Sequence, residues 1–447
     1  MLRLSRYTLF SESEYLKNGE PSTYKIYYNT ISAKSIAISS LHHELIRNGK
    51  AGLLPDEVLS YLSSNLFITE KGAGDEFNDV IRFQRLNASD SRFRSFILLP
   101  TQWCNFGCDY CGQSHFRSPL SSSHRDIVKS RVLNAIHDDS VQSVSIGWFG
   151  GEPLVAYKAI LEMSKEFIGS AEERCAYSAH MVTNGSLLTE EKIYTLVNEC
   201  LINRFDITID GTEDVHNLRR PTKKVGGSFK KIIDALRVFK EGNFFYEPTV
   251  IIRINVDKRN YLDIKNLIRY LHEQDLSSPR FEFNIAPIYS WSNDVSNIEI
   301  SQDGFSSIEL QLFDDLNRYG FFYNVFPDKP MEILCSAVTR NSEVISATGN
   351  IFSCTEYPLV VEHEKNDALS NLVDLGIPSL RPKHKFDDWL MEIENRVFPC
   401  AKCIFFPVCG GGCPKQWYNG NPPCPSYKYF PQKRLDHLAM MNGLSVV

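Results

Sequence analysis

Six apolar, β-branched runs alternate with amphipathic helical stretches through the middle of this 447-residue chain, and no other feature narrows its possible folds as far. The runs are Phe96 to Leu99, Val144 to Phe149, Tyr177 to Val182, Phe205 to Ile209, Val250 to Asn255 and Phe281 to Ile285. Ile127, Val128, Val132, Leu133 and Ile136 recur at helical spacing between the first two. Ile193, Leu196, Val197 and Leu201 do so further on. Ser228 stands where an N-cap would open the helix of Ile232, Ile233, Leu236 and Phe239, and Ile264, Leu267, Ile268 and Leu271 form the next stripe. Strands separated by helices build a parallel sheet with right-handed crossovers. Six such units predict an α/β fold, a partial (β/α)6 version of the eight-unit TIM barrel, with chemistry at the C-terminal strand ends.

The chain is too long for one ordinary core, so two or three domains are expected. A net charge of -6 gives no reason to expect nucleic-acid binding. No apolar run reaches membrane-span length, and the N-terminus lacks the apolar region of a secretory signal, which predicts a cytoplasmic protein with no membrane partner. In that compartment twelve cysteines argue for metal or cluster ligation rather than disulfides.

Three of them, Cys104, Cys108 and Cys111, follow the first strand as CxxxCxxC. Three thiolates on one loop hold three irons of a [4Fe-4S] cube and leave the fourth open. Zinc would want a CxxC knuckle and a fourth ligand. The loop resembles the signature of radical S-adenosylmethionine (SAM) enzymes, including the aromatic Tyr110 before the third cysteine. That resemblance implies reductive cleavage of SAM to a 5'-deoxyadenosyl radical.

Motifs at the later strand ends extend the resemblance. Gly150-Gly151-Glu152-Pro153 matches the GGEP stretch that contacts the amino group of SAM in that family. Thr183-Asn184-Gly185 ends the third strand, and Thr208-Ile209-Asp210-Gly211 the fourth. With His216-Asn217-Leu218-Arg219-Arg220-Pro221, the latter is similar to the SLDG…HDxxRP pattern of peptide-modifying members. Asn217 replaces the usual Asp, which puts a carried-over role at that position in doubt. The resemblance implies cofactor contacts from Tyr110, Gly150, Gly151, Glu152, Asn184, Thr208, Asp210 and Arg253. Asp210 and Arg253 read equally well as members of turns or surface ion pairs. Cys200 reads as a core residue, Cys175 is unassigned, and His115 reads as a hydrogen-bonded loop histidine.

Towards the C-terminus the cysteines run CX13GX4C, a gap, CX2CX5CX3C, a gap, C, from Cys335 and Cys354 to Cys400, Cys403, Cys409, Cys413 and Cys424. The pattern resembles the SPASM motif, which holds two auxiliary [4Fe-4S] clusters. By motif position Cys335, Cys354 and Cys413 would hold the first. Cys400, Cys403, Cys409 and Cys424 would hold the second, for three clusters in all. Seven thiols do not fill eight iron sites, so one iron takes another ligand or stays open. A zinc ribbon is the rival for these cysteines.

The implied organisation is an N-terminal small α+β module over residues 1–94, a radical SAM barrel over 95–300, a linker over 301–334 and a SPASM domain over 335–447. The module, with strands at Tyr24 to Tyr28, Ser35 to Ile38 and Asn65 to Ile68, is either a cap on the barrel or a winged-helix-like element that binds a precursor's leader peptide. The function implied is a maturase of ribosomally made peptides that installs a C–C cyclophane or thioether cross-link, fed by an electron donor such as flavodoxin or ferredoxin. An anaerobic sulfatase-maturating enzyme is the alternative, and a non-catalytic zinc scaffold the second.

Overall fold

The computed structural model describes residues 2–17, 20–70, 72, 74–224, 226–375 and 380–447. Its centre is a nine-stranded sheet in which Phe93–Leu98, Ser143–Trp148, Ala176–Thr183, Ile202–Thr208, Thr249–Val256 and Phe281–Pro287 lie side by side in chain order, all parallel. All six expected strands are present, longer at most ends than their apolar cores. Side chains alternate: Val144, Ile146 and Trp148 are fully buried against the helical layer, while Ser143 and Ser145 face the barrel interior. The helices Ser122–Ile136, Tyr157–Ala171, Glu190–Asn198, Phe229–Glu241 and Ile264–Glu273 cover the other side, and their apolar stripes make one continuous core with the strands.

The barrel does not close. Among the described residues Phe281–Pro287 pairs on one side only, with Thr249–Val256. At the opposite edge Ser342–Ile345 joins in parallel beside Phe93–Leu98, followed by Asn350–Phe352 and Ser370–Asn371. The cysteine-rich segment therefore begins as an extension of the barrel sheet. Glu343 fastens that seam: fully buried, it accepts from Arg94 Nη2 at 3.1 Å and Arg131 Nε at 2.5 Å.

In the N-terminal module Thr23–Asn29 and Lys34–Ser39 pair as expected. The strand expected at Asn65 to Ile68 starts only at Ile68 and runs to Glu70. Leu66 adopts a left-handed φ of 60° and turns the chain out of the preceding helix. Tyr15–Lys17 takes the C-terminal strand Leu444–Val446 as its partner, so the chain's two ends share one sheet. Among the described residues no helix is long and apolar enough to cross a membrane.

Candidate active site and cluster-binding cysteines

The CxxxCxxC loop leaves the C-terminal end of the first barrel strand and is clamped on three sides. Gly107 N–H donates to the Pro221 carbonyl at 2.9 Å, Gln102 N–H to Ser118 at 3.0 Å and Glu152 N–H to Trp103 at 2.9 Å. The glycine pair is required by the last contact. A Cβ on Gly151 would stand 2.6 Å from the Trp103 carbonyl oxygen, and Gly150, at φ 130°, would place one 2.8 Å from that of Thr101.

Cys104, Cys108 and Cys111 line one cavity of about 160 Å3, together with Tyr110, Gly150, Gly151, Asn184 and Thr208. Burial pushes the Cys104 thiol up to about 12 and that of Cys108 to about 11. A cationic centre that binds the thiolates offsets this penalty. The donor set, its single-cavity placement and the glycine floor fit a cube held by three thiolates with a small cofactor beside it. Among the described residues no three His, Cys, Asp or Glu side chains gather closely enough to hold one metal ion.

Two of the other expected cofactor contacts, Glu152 and Asp210, lie behind the cavity wall. Fully buried Glu152 accepts from Leu154 N–H at 3.1 Å, Thr183 Oγ1 at 2.7 Å and Asn184 N–H at 2.8 Å, and so ties the second strand end to the third. Asp210, also fully buried, accepts from the Tyr110 hydroxyl at 2.5 Å and Asn255 N–H at 3.0 Å, with Arg219 and Arg220 at 3.8 and 4.0 Å. It anchors the cluster loop through Tyr110. Asn184 spends its side chain on Asn105 and Ser186, and its Nδ2 stands 4.0 Å from Cys104 Sγ. Arg220, Phe149, Gln113 and His115 line the cavity too, although none was singled out as a cofactor contact. Arg220 donates to the Tyr110 hydroxyl at 2.5 Å, a role for which its place in the Arg-Arg-Pro stretch was the only signal.

His216 and Ser228 are coupled behind this wall. His216 Nδ1 accepts from Asp210 N–H at 3.3 Å, which leaves Nε2–H to donate to Ser228 Oγ at 3.0 Å. Ser228 thus occupies the N-cap position without capping. Asn217 does that instead, its Oδ1 accepting from Ser228 N–H at 2.9 Å and Phe229 N–H at 3.3 Å. Burial, then the charges of Arg220 and Arg219, hold His216 at about 3. Its folded value lies below the unfolded one of about 6.5. The contribution is complete above about pH 6.5 and is lost as pH falls towards 3. From pH 7 to pH 5 the protein is expected to lose about 2 kcal/mol through this group. Chemical unfolding of wild type and His216→Gln at both pH values checks it. Equal losses in the two would refute the assignment.

Arg253 lines a different, larger cavity of about 880 Å3. Arg253 is the cross-strand partner of Thr208, which lines the three-cysteine cavity. The larger one is also lined by Tyr289, Trp291, Glu356, Lys415 and Cys424. Glu356 accepts from the Tyr289 hydroxyl and pairs with Lys415 Nζ at 3.2 Å.

Two sets, of four and of three, are expected of the late cysteines. Cys400, Cys403, Cys409 and Cys424 line one small void of about 50 Å3. In the other set burial, then the charges of Glu356 and Cys335, push the Cys354 thiol up. Cys335 is exposed, and the charge of Cys413 acts on its thiol in the same direction. Gly410, Gly411 and Gly412 all have positive φ, and this turn swings Cys409 towards one set and Cys413 towards the other.

Residues 98–271 match the model of the Radical SAM superfamily. The chain is 21% identical over 354 residues to the serine-type anaerobic sulfatase-maturating enzyme of Bacteroides thetaiotaomicron, covering 71% of this chain and 81% of that one. It is 22% identical over 353 residues to the radical SAM cyclopropyl synthase TigE of Paramaledivibacter caminithermalis, covering 74% and 70%. The solved structure of native anSMEcpe with bound AdoMet and Cp18Cys peptide shares its fold, with a TM-score of 0.58 and 19% identity over 78% of this chain and 97% of that one. With a CxxxCxxC loop over the strand ends of a partial barrel, residues 98–271 carry a radical SAM domain.

Proposed function

We propose that this protein is a radical SAM/SPASM enzyme that installs a C–C cyclophane or thioether cross-link between side chains of a ribosomally made precursor peptide. The larger cavity carries this reading. Arg253 on its wall is the cross-strand partner of Thr208 in the three-cysteine cavity, and its lining includes Cys424 and Glu356, whose charge reaches Cys354. A peptide segment seated there lies between a radical source and electron acceptors. Three [4Fe-4S] clusters and SAM, when bound, supply the radical and take up the surplus electron.

The chain's own residues do the rest. Tyr289, Trp291, Phe305 and the prolines at 287, 422 and 423 give the cavity an apolar wall that excludes water. Arg253 and Gln416 offer donors to peptide carbonyls. Glu356, positioned by Tyr289 and Lys415, accepts the proton released when the new bond forms. The leader fits the N-terminal module. Lys34–Ser39 pairs with Thr23–Asn29 on one edge, and among the described residues no strand covers its other edge, which suits strand addition. The likeness to a cyclopropyl synthase supports ring formation.

Glu356 also favours a second reading. A carboxylate beside auxiliary-cluster cysteines suits a sulfatase-maturating enzyme that oxidises Cys or Ser to formylglycine. Product analysis separates the two: a cross-linked peptide has lost two hydrogens and does not react with hydrazide, whereas formylglycine does.

Iron content after anaerobic reconstitution tests the cofactor set. About twelve irons per chain, bleached by dithionite, is the expected result. About four would remove the auxiliary clusters. Zinc without iron would turn the reading towards a binding scaffold.

A further inference from the structure

The outer surface of the cluster loop carries cations that the cavity chemistry does not use. Trp103, the residue before Cys104, lies between two of them: Lys223 Nζ is 3.9 Å and Arg117 Cζ 4.9 Å from its ring centre. Both cations sit on segments bonded directly to the loop. Lys223 N–H donates to the Asn105 carbonyl at 2.8 Å, Thr222 bridges Phe106, and Pro119 bridges Thr101. Arg117, Lys223 and Lys224 are exposed, and so is Phe116 beside them. Among the described residues none of the three cations has a carboxylate within ion-pair distance. Asp109, the acid on the loop, is already paired with Arg259 at 2.5 Å. The charge of Lys223 reaches Cys111.

A net charge of -6 makes an unpaired basic patch at this one loop informative. Exposed cations around a half-buried aromatic ring give a small, electrostatically steered contact of the sort that brief electron-transfer encounters use. We propose that this face, centred on Trp103, Arg117, Lys223 and Lys224, docks an acidic one-electron carrier protein that reduces the cluster held by Cys104, Cys108 and Cys111. The inference rests on the radical SAM reading of that loop. The step moves one electron: the carrier is oxidised by one, the cluster is reduced by one, and no bond is made or broken.

The test uses the reconstituted full-length protein and two probes, a reduced flavodoxin and a reduced ferredoxin, mixed anaerobically in a stopped-flow instrument. At low salt the wild type is expected to oxidise at least one of them at a rate that falls tenfold or more in 0.5 M salt. The variant Arg117→Glu/Lys223→Glu/Lys224→Glu is expected to react at least tenfold more slowly at low salt, with little remaining salt dependence. Reduction by dithionite, which needs no docking, stays at the wild-type rate. The neutral variant Arg117→Gln/Lys223→Gln falls between the two. A salt-insensitive wild type, or a charge-reversed variant as fast as wild type, overturns the proposal. Equal slowing with dithionite overturns it as well, because the charges would then act on the loop itself. So does weakened binding of a precursor peptide with carrier reduction unchanged, which would assign the patch to substrate. A protein that takes up no iron overturns the radical SAM reading itself, a failure visible before any carrier is added.

Discussion

Cys104→Ala is expected to abolish 5'-deoxyadenosine formation and to lower the iron content by about four atoms per chain. Cys104 is the most enclosed of the three loop thiols, at 7% exposure. Its Sγ accepts from Phe106 N–H at 3.4 Å, a bond that suits a thiolate and helps to set the loop's turn. Alanine removes one of three ligands from a site that has none to spare, because Glu152, Asp210 and Asn184 are committed elsewhere. Two thiolates do not hold a cube. The control is Cys200→Ala, a buried thiol in the core that faces neither cavity. It should keep the full iron content and SAM cleavage. Cleavage that persists in Cys104→Ala would sink the assignment of the loop.

The barrel was readable because each strand pairs with a neighbour of the same kind and presents β-branched residues to a helix whose stripe has its own period. Ile252 and Ile254, with Leu267, Ile268 and Leu271 opposite them, are buried for that reason. The pieces that escaped notice are short or have distant partners. Leu444–Val446 is a three-residue strand whose mate lies more than four hundred residues earlier, and nothing local marks it. Ser342–Ile345 holds a glutamate that only two arginines on other elements make tolerable inside a sheet.

The candidate site shows the same division. Cysteine spacing was legible because it is a local property of the sequence, and Cys400, Cys403, Cys409 and Cys424 line one void. Side-chain direction was not legible. Asp210 and Glu152 stand at strand ends as expected, yet the donors that surround them turn both carboxylates into the wall. Ser228 and Asn217 likewise exchange roles. The histidine takes the serine hydroxyl, and the asparagine, the departure from the family pattern, caps the helix.

Asp210→Ala is expected to destabilise the iron-loaded protein by about 3–5 kcal/mol, the cost of breaking a buried charge network by removing one member. Arg219 keeps Asp257 at 2.7 Å, but Arg220 would be left with the Tyr110 hydroxyl as its hydrogen-bond partner, in a position 7% exposed. The Tyr110 hydroxyl and Asn255 N–H would each lose an acceptor inside the protein. Asp210→Asn separates charge from shape. Its oxygen still accepts from Asn255 N–H, but its amide offers donors where Tyr110 needs an acceptor, so it should fall between wild type and alanine. Anaerobic thermal unfolding checks the ranking, with a drop of about 3–5 °C for the alanine variant. Tyr110 belongs to the cluster loop, so SAM cleavage should fall in the same order even where the iron content is unchanged. Wild-type stability in Asp210→Ala would mean that the carboxylate does not anchor the loop, and would return Asp210 to the cofactor contacts first expected of it.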